Sequence, residues 1–479
     1  MNKNSNRTTT LIRDTGLFAI SSFGSKVLIF LLTPLYTYIL STEEFGVADL
    51  INTTINFIYP ILTLAIADAT LRFAMEKGVD KNAVFTNSIF LTLISVLVLA
   101  CFYPLIHRLS SDVSDYWLIF IITYALFNIH NAFSSFVKAL GKTSIFAIQG
   151  VLQTVSIIAS NILLLLYFKF GLIGYLISII IGFIIPIIYM MISGKLFQYL
   201  FPIRFDRKIM NEMLRYSIPM IPTLLAWAFN TSIDKYMIIY MVGLSDSGIY
   251  SVAHKIPTIF TTVVTIFTQA WQLSAISNYG SKDESEFHTT VYNGLNLISL
   301  IGCMFIIVLS KLFASFLFSK DFFVAWKYVP FLTISAMFAA LGGFLASEFR
   351  AAKQTKSLFV SVVVGSVSNM VLNWIFISIL GTFGAAVATA IGFFIIWIFR
   401  FVLIQKIVKV KINILKTVVC YILFIVEAIL VILEFSYSYI ICPILIITVV
   451  LINLSGLKDM ILKFHALFIK RKDGKKTVC

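Results

Sequence analysis

The chain has 479 residues, of which 59% are hydrophobic and only 12% are charged. Soluble globular proteins are about 45–50% apolar and about 25% charged, so this composition excludes a soluble enzyme or a soluble binding domain. Most apolar runs exceed about eighteen residues and contain scattered Gly, Ser, Thr and Asn, which favours packed helices over the shorter alternating strands of a membrane β-barrel. The sequence therefore predicts an all-α polytopic membrane protein.

The net charge of +15 is better explained by membrane topology than by nucleic-acid binding. Most of the 37 Lys and Arg residues fall in segments on the same side of the membrane as the N-terminus, which is the positive-inside pattern of cytoplasmic loops. The pattern predicts that both termini are cytoplasmic, and no nucleic-acid partner is expected. Attraction of the basic segments to anionic membrane lipid follows as a secondary consequence.

The apolar runs predict about fourteen transmembrane helices in chain order. Six of them precede a long basic segment with one apolar face, which we expect to rest on the inner leaflet. Six more follow that segment, and two further helices precede a basic amphipathic tail. The predicted divisions are an N-lobe at 1–194, a cytoplasmic inter-lobe linker at 195–215, a C-lobe at 216–411, helices 13 and 14 at 412–456, and the cytoplasmic tail at 457–479.

Two sequence features recur in the two six-helix halves. KALGKT at Lys138–Thr143 and RAAKQT at Arg350–Thr355 each close one predicted span and open the next. The helix that ends the repeat begins with GLIG at Gly171–Gly174 in the first half and with GTFG at Gly381–Gly384 in the second. Because each half has an even number of spans, the pattern predicts two lobes in a parallel repeat about an axis along the membrane normal, as in secondary transporters.

Polar side chains inside the early spans are the first candidates for function. Lys26 lies near the middle of the first span, so it either pairs with a polar group for packing or faces a lumen as an anion site. Asp68 and Arg72, one helical turn apart, are predicted to form a structural ion pair. Asn128 and Asn131 share a polar face of the fourth span, which suits either a wall that contacts sugar or hydrogen bonding between helices.

The stretch from Asn230 to Pro257 places four ionisable residues in two apolar runs joined by a short turn. Asp234 and Lys255 lie at a similar depth, roughly 12 to 15 Å below the outer surface at about 1.5 Å per residue. An isolated charge at that depth is costly, so a mutual pair or a shared water-filled cavity is expected. Asp234 is interpreted as the structural partner of a Lys or as an ion-coupling group. Lys235 and Lys255 are interpreted as packing cations or anion-binding groups, and His254 as a hydrogen-bonded interior residue or a functional one.

The sequence contains no recognisable catalytic constellation. It lacks a P-loop, an HExxH motif, a GxSxG motif and paired carboxylates on a solvated face. Its five cysteines are scattered without metal-ligand spacing, so neither a metal nor a cofactor is expected. Glu427, in the thirteenth span, has no partner that the sequence identifies. A transporter is therefore favoured over an enzyme, and coupling to an ion gradient is left open, with the ion undetermined.

Four stretches of the chain resemble one family of membrane transporters. They are STEEFGVADLI at Ser41–Ile51, SIDKYMI at Ser232–Ile238, GIYSVAHKIP at Gly248–Pro257, and the segment from Arg350 to Arg400 with its GxxGAA turn. Together they resemble the polysaccharide transporter family of lipid-linked O-antigen and capsular oligosaccharide flippases. That family lies within the multidrug/oligosaccharidyl-lipid/polysaccharide exporter superfamily.

The resemblance implies a flippase that moves a polyprenyl-diphosphate-linked oligosaccharide from the inner to the outer leaflet of a bacterial plasma membrane by alternating access. It implies a cationic lumen for the diphosphate, with Lys26 and Lys255 on the two spans that flank a gap for the polyprenyl tail. It leaves room for contacts with polysaccharide polymerase machinery. One alternative is a drug/cation antiporter of the same superfamily, which would want an acidic lumen. The other is a membrane glycosyltransferase or polysaccharide polymerase, which would need a sizeable outer domain.

Overall fold

The computed structural model of the protein describes residues 24, 26–28, 30–104, 115–278, 284–352 and 354–454. Within these ranges every regular element is a helix, and no strand is present. Ten of the described helices are long and apolar enough to cross a membrane, or eleven if one interrupted pair counts as a single span. The all-α membrane fold is thereby confirmed, whereas the count of fourteen spans stays a prediction. The predicted amphipathic tail at 457–479 lies outside the described residues.

The chain divides into two compact units. The first comprises Met1–Val252 with Leu317–Phe322, and the second comprises Ala253–Phe316 with Phe323–Cys479. The division between these units falls inside the predicted eighth span, and the predicted lobes and linker stay predictions.

The first unit contains helices α1 to α11, which correspond to predicted spans 1 to 7 and the first part of span 8. Helix α5 packs against α3, α4 and α7, and helix α10 packs against α2. Helix α6 ends in a π-helical turn. The bounds are Thr33–Ile39 (α1), Thr42–Leu62 (α2), Ile66–Ala74 (α3), Lys81–Cys101 (α4), Trp117–Ala139 (α5), Thr143–Asn161 (α6), Gly171–Ser193 (α7), Phe197–Leu200 (α8), Arg207–Ser217 (α9), Ile221–Met241 (α10) and Leu244–Ala253 (α11).

The second unit contains helices α12 to α19. Helix α15 is its central element, because α12, α13, α17 and α18 all pack against it, and α16 packs against α17. The bounds are Lys255–Asn278 (α12), Glu284–Val308 (α13), Ser310–Leu317 (α14), Val329–Ala351 (α15), Thr355–Leu380 (α16), Thr382–Ile404 (α17), Ile414–Ile432 (α18) and Ser438–Ile452 (α19).

Short polar side chains define where several helices begin. The Ser41 hydroxyl accepts from the Glu44 backbone N–H, and the Glu44 carboxylate accepts from the Ser41 backbone N–H, which completes a capping box at the start of α2. Asp206 caps α9 by accepting from the backbone of Lys208, and Asn413 caps α18. Such caps satisfy N–H groups that a helix end cannot pair by itself.

The predicted linker forms helix α9, which packs against α3 and α4 of the first unit. Its apolar face buries Met210 and Met213, so protein covers much of the surface that we expected to rest on the inner leaflet. Its sequence periodicity was a correct indicator of an amphipathic helix, but periodicity cannot distinguish a lipid partner from a protein partner.

The predicted internal repeat has a matching backbone geometry in the two units. Gly171 and Gly381, the first glycines of GLIG and GTFG, both have positive φ, at 52° and 59°. The second glycines also share a role, because an added Cβ would lie 3.2 Å from the Leu164 carbonyl oxygen at Gly174 and 2.0 Å from the Phe376 carbonyl oxygen at Gly384. The positive φ at the first position and the nearby carbonyl oxygen at the second both favour glycine, and the closer approach makes this preference stronger at Gly384 than at Gly174.

Candidate functional site

Helices α2 and α11 approach each other closely enough for their backbones to touch. An added Cβ on Gly46 would lie 2.4 Å from the Leu244 carbonyl oxygen, and one on Gly248 would lie 2.1 Å from the Thr42 carbonyl oxygen. Next to these glycines, the Thr42 and Ser245 hydroxyl oxygens are 2.7 Å apart. Because the obstructing atoms are backbone atoms, neither glycine can carry a side chain without moving the helices apart.

A charged cluster continues this contact one turn further into the helices. The Asp49 carboxylate on α2 accepts from Lys235 Nζ on α10 at 2.7 Å and from the Ser251 hydroxyl on α11 at 2.7 Å. Thr53 on α2 donates to the same carboxylate at 3.4 Å and lies 3.5 Å from Lys235 Nζ. We call Asp49, Thr53, Lys235 and Ser251 the Asp49 cluster.

The Asp49 cluster is only partly shielded from water. The Lys235 and Asp49 side chains keep 20% and 19% of their surfaces exposed. An ion pair in this setting is stronger than one at a protein surface but can still be rehydrated when its partners separate. The cluster therefore joins three helices by contacts that are polar and reversible.

Tyrosine hydroxyls and aromatic rings surround the cluster. The Tyr236 and Thr54 hydroxyls are 2.9 Å apart, so they form a second polar contact between α10 and α2. Tyr175 lies edge-on to Tyr36, with ring centroids 4.9 Å apart, and Phe45 packs edge-on to Phe322 at 5.8 Å. Tyr175 also packs against Phe45, at 6.4 Å, so these four rings form one connected group.

The structure assigns different partners to the adjacent residues Asp234 and Lys235. Lys235 turns to Asp49, whereas Asp234 is buried and accepts from the Tyr250 hydroxyl at 3.2 Å. The carboxylate that pairs with Lys235 is that of Asp49, and the role of Asp234 as the partner of a Lys or as an ion-coupling group stays a prediction.

The remaining basic candidates lie elsewhere. His254 and Lys255 are half-buried at the interruption between α11 and α12, where the His254 carbonyl accepts from the Thr258 hydroxyl at 2.7 Å. Lys26 is exposed. Lys235 is thus a predicted cation that pairs with Asp49, and the anion-binding roles of Lys26 and Lys255 stay predictions.

The early polar candidates make local contacts. Asn128 is buried and donates to the Tyr124 carbonyl of its own helix at 2.8 Å, while Asn131 is half-buried. Arg72 pairs with Glu76 at 3.5 Å rather than with the predicted Asp68. Arg72 lies in the last turn of α3, so its long side chain reaches forward to the exposed end of the helix, where a carboxylate is available.

Two further observations concern ionisable groups in the described part of the chain. Glu427 is fully buried in α18, and neither of its carboxylate oxygens has a hydrogen-bond partner there. No group of three or more His, Cys, Asp or Glu side chains in the described ranges has the geometry to hold a metal ion.

Asp49 was absent from the residues that sequence reasoning selected, although a signal was present. Thr42, Gly46, Asp49 and Thr53 are spaced by four, three and four residues, which places them on one face of a helix. A stripe of small and polar residues that includes an acidic one within an apolar run is typical of a contact between membrane helices.

A family model described as polysaccharide biosynthesis protein matches residues 11–272, which is more than half of the chain. A second model, described as MatE, matches residues 219–375. An uncharacterized membrane protein of Methanocaldococcus jannaschii is 25% identical over 422 residues, a match that covers 83% of this chain and 99% of the relative.

Solved structures of transporters share the fold. The lipid II flippase MurJ in an inward closed conformation matches with a TM-score of 0.70 at 17% identity, covering 93% of this chain and 99% of that one. A multidrug resistance MATE family transporter of the MOP superfamily, in an inward-facing conformation, matches with a TM-score of 0.66 at 13% identity, covering 81% of this chain and 97% of that one. At these identities the likeness concerns the fold alone.

Proposed function

We propose that this chain is a flippase. It belongs to the polysaccharide biosynthesis protein family and is a multi-pass transporter of the multidrug/oligosaccharidyl-lipid/polysaccharide exporter superfamily. Its cargo is a polyprenyl-diphosphate-linked oligosaccharide, and it moves this cargo from the inner to the outer leaflet of a bacterial plasma membrane for surface polysaccharide assembly. The movement is by alternating access. No step requires an enzyme activity or a bound cofactor.

The single observation that carries the proposal is the contact of α2 with α10 and α11. Alternating access requires contacts that close one side of a transporter firmly and yet open without unfolding it. Glycine surfaces at Gly46 and Gly248 can separate because no side chains interlock there. The Asp49 cluster adds a charge contact that water can replace, so its closed and open states differ little in free energy.

The positions of the cluster indicate which side it closes. Asp49 and Ser251 each lie seven residues after the start of their helices, and Lys235 lies six residues before the end of α10. These offsets place all three about 9 to 11 Å from the helix ends. The predicted cytoplasmic N-terminus assigns those ends to the outer side, so the contact is an outer gate in its closed state.

Lys235 links the gate to the cargo. In the closed gate its ammonium is neutralised by Asp49, whereas an open gate exposes it to the lumen. A diphosphate can then replace the Asp49 carboxylate as its partner, because both are oxyanions that accept from an ammonium. Lys26 and Lys255 supply further cations for the diphosphate. The basic segments favour contact with anionic membrane lipid. Polysaccharide polymerase machinery is a further proposed partner.

A disulfide across the gate tests alternating access. The Thr42 and Ser245 hydroxyl oxygens are 2.7 Å apart, so cysteines at both positions are close enough to form a bond. We expect oxidised Thr42→Cys/Ser245→Cys, in a background without the five native cysteines, to stop flipping of lipid-linked oligosaccharide in proteoliposomes, and reduction to restore it. The single-cysteine variants are the matched controls. Undiminished flipping by the fully oxidised pair would refute the gate.

The cargo class has its own test. We expect Lys26→Ala and Lys255→Ala each to lower export of the surface glycan roughly 10- to 150-fold at normal protein abundance, since one charged hydrogen bond contributes about 1.5 to 3 kcal/mol. Arg at either position should retain part of the activity, because it keeps the charge but changes its shape. Normal export by both Ala variants would remove the cationic lumen.

The second candidate function is a drug/cation antiporter, favoured by the MatE match at residues 219–375. Such a transporter would extrude a cationic drug against a gradient and would need acidic rather than basic groups for its cargo. Drug efflux by the purified protein, without flipping of the lipid-linked oligosaccharide, would select this alternative.

A further inference from the structure

A buried ionisable pair in the second unit has no role in the gate. His288 Nδ1 on α13 and Glu348 Oε2 on α15 are 2.9 Å apart, and both side chains are completely buried. The other carboxylate oxygen, Glu348 Oε1, accepts from the indole N–H of Trp271 on α12 at 2.8 Å. One carboxylate thus joins three helices of this unit.

The surroundings of the pair are aromatic. The Trp271 ring stacks on Phe344, with centroids 4.7 Å apart, and meets the His288 ring edge-on at 5.2 Å. Phe287 packs against Trp271 at 5.4 Å. Such an environment holds few dipoles that could stabilise an unbalanced charge, so a net charge at this position is strongly disfavoured.

The hydrogen bonding of the pair is incomplete. Nδ1 of His288 and Oε2 of Glu348 are at ion-pair distance but not aligned for a hydrogen bond, and Nε2 of His288 has no hydrogen-bond partner in the described ranges. A buried polar atom without a partner is rare in a structural contact and marks a place where a proton or a water molecule can bind.

The two arginines on the surrounding helices have hydrogen-bond partners other than the pair. Arg350 donates to Gln272 Oε1 at 3.3 Å, and Arg400 donates to Gly342 O and Ser361 Oγ at 2.8 Å each. Lys255 begins α12, and its position is sixteen residues from Trp271. Among the described residues, the other ionisable side chains on the helices of this unit and on the segment after α17 are Lys255 (α12), Glu284, Glu286, Tyr292 and Cys303 (α13), Lys311 (α14), Arg350 (α15), Lys356 (α16), Arg400 (α17), Lys406, Lys409 and Lys411 after α17, Lys416, Cys420, Tyr421 and Glu427 (α18), and Tyr439 and Cys442 (α19).

We propose that His288 and Glu348 form a proton-binding site. With one proton on the pair its net charge is zero, whether the proton lies on the imidazole or on the carboxyl group. Without that proton the pair carries a buried negative charge, which the aromatic surroundings disfavour. Proton release therefore requires water to reach Glu348, and this loosens the attachment of Trp271 and α12 to α13 and α15.

A short route connects the site to the end of the unit. His288 is the fifth residue of α13, and Glu348 lies three residues before the end of α15. Both are therefore about 4.5 to 6 Å from helix ends that the predicted topology assigns to the cytoplasm. Glu284 lies one turn before His288 on the same helix face, so its carboxylate can pass a proton inward from that side.

Proton binding is independent of the proposed function, whereas coupling of the proton to transport rests on it. Within an alternating-access cycle, the protonated site holds α12 in place and the deprotonated site releases it. A flippase of this kind would exchange a proton for its lipid-linked cargo. The structure thus identifies the residues at which the undetermined coupling ion would bind.

Trp271 provides a direct readout of proton binding. An imidazolium quenches indole fluorescence more strongly than a neutral imidazole, and the two rings are in contact. We expect purified full-length protein in lipid nanodiscs to show a transition in its emission as the pH is varied. The Trp271→Phe variant, which retains the five other tryptophans, should lose that transition.

Two isosteric changes assign the transition to the pair. His288→Gln should abolish it, and Glu348→Gln should abolish it or shift it by at least one pH unit, about a tenfold change in proton affinity. Size-exclusion profiles check folding. If either variant misfolds, the infrared band of a protonated carboxyl group is measured instead of the fluorescence of that variant. The band of the wild-type protein is compared with that of Trp271→Phe. A wild-type transition that survives His288→Gln, or no transition and no carboxyl band at all, would overturn the site.

Flipping assays separate the site from the proposed function. Coupling predicts that an imposed pH gradient changes the wild-type flipping rate several-fold and leaves the rate of Glu348→Gln unchanged. Equal responses of the two proteins would overturn coupling while proton binding stands. An intact fluorescence transition in a protein that flips no lipid-linked oligosaccharide at any pH would instead refute the proposed function, and with it the coupling.

Discussion

The Asp49 cluster and the His288–Glu348 pair both place a carboxylate beside a nitrogen base among packed helices, but they differ in their access to water. Asp49 and Lys235 keep about a fifth of their side-chain surfaces exposed, whereas His288 and Glu348 keep none. A partly hydrated pair can exchange one partner for water or for an anionic cargo. A dry pair can change its charge only by gaining or losing a proton. Hydration therefore distinguishes a gate from a proton site.

The largest expected effect concerns the backbone contact that supports the gate. Gly248→Ala places a Cβ 2.1 Å from the Thr42 carbonyl oxygen, so α2 and α11 cannot close as they do in the wild type. We expect flipping, and disulfide formation by the Thr42→Cys/Ser245→Cys pair in the same background, to fall about a thousandfold, which corresponds to about 4 kcal/mol. Gly302→Ala is the matched control, because nothing lies within 4 Å of its added Cβ. Equal activity of the two variants would contradict the proposed role of the contact.

The next effect tests the dry pair. Glu348→Ala removes the acceptor of the Trp271 indole and the partner of His288, so we expect it to destabilise the protein by about 3 kcal/mol. Glu348→Gln should destabilise it less, since the amide oxygen can still accept from Trp271. Thermal unfolding in detergent measures both changes. A midpoint for Glu348→Ala that matches the wild type would show that the carboxylate does not join the helices.

A smaller effect is expected at the partly hydrated pair. Asp49→Asn and Lys235→Met should each destabilise the protein, and the double variant should be more stable than the two single losses predict. The coupling energy should be about 0.5 to 2 kcal/mol, because solvent already screens part of the attraction. A double-mutant cycle on thermal unfolding gives this value. If the two changes in unfolding free energy add strictly, the contact between Asp49 and Lys235 contributes nothing to stability.

The smallest effect is expected at the exposed pair of Lys311 and Glu434. The Lys311 ammonium lowers the pKa of the Glu434 carboxyl group, by hydrogen bonding first and by charge attraction second. Because the pKa of Glu434 is lower in the folded than in the unfolded protein, the ion pair contributes to stability above the pKa of the unfolded state. That contribution is lost as the pH falls through the pKa of the folded state. Solvent screens so exposed a pair, so Glu434→Gln should leave the unfolding midpoint unchanged within error. A clear loss of stability at neutral pH would contradict this gradation from exposed to buried pairs.

Sequence reasoning located the membrane helices and several unusual charges within them. Lys235 was identified because an ammonium in an apolar run is conspicuous wherever the helices pack. His288 and Glu348 are not among the predicted site residues, because each lies near the end of a predicted span, where a charged side chain can ordinarily reach water. The repeat was also visible, since glycines required by backbone geometry recur as GLIG and GTFG.

The amino-acid sequence by itself determined the fold class. The free energy of transferring a segment into lipid is a sum over its own side chains, so it does not depend on which helices pack against that segment. Only the tertiary structure decided the partners. Lys235 pairs with Asp49 across 186 residues, and His288 meets Glu348 from a different helix. A shift of one residue turns a helical side chain by about 100°, so such pairings depend on how each helix is rotated in its packing. That rotation is set by close contacts such as those at Gly46 and Gly248, which no local pattern specifies.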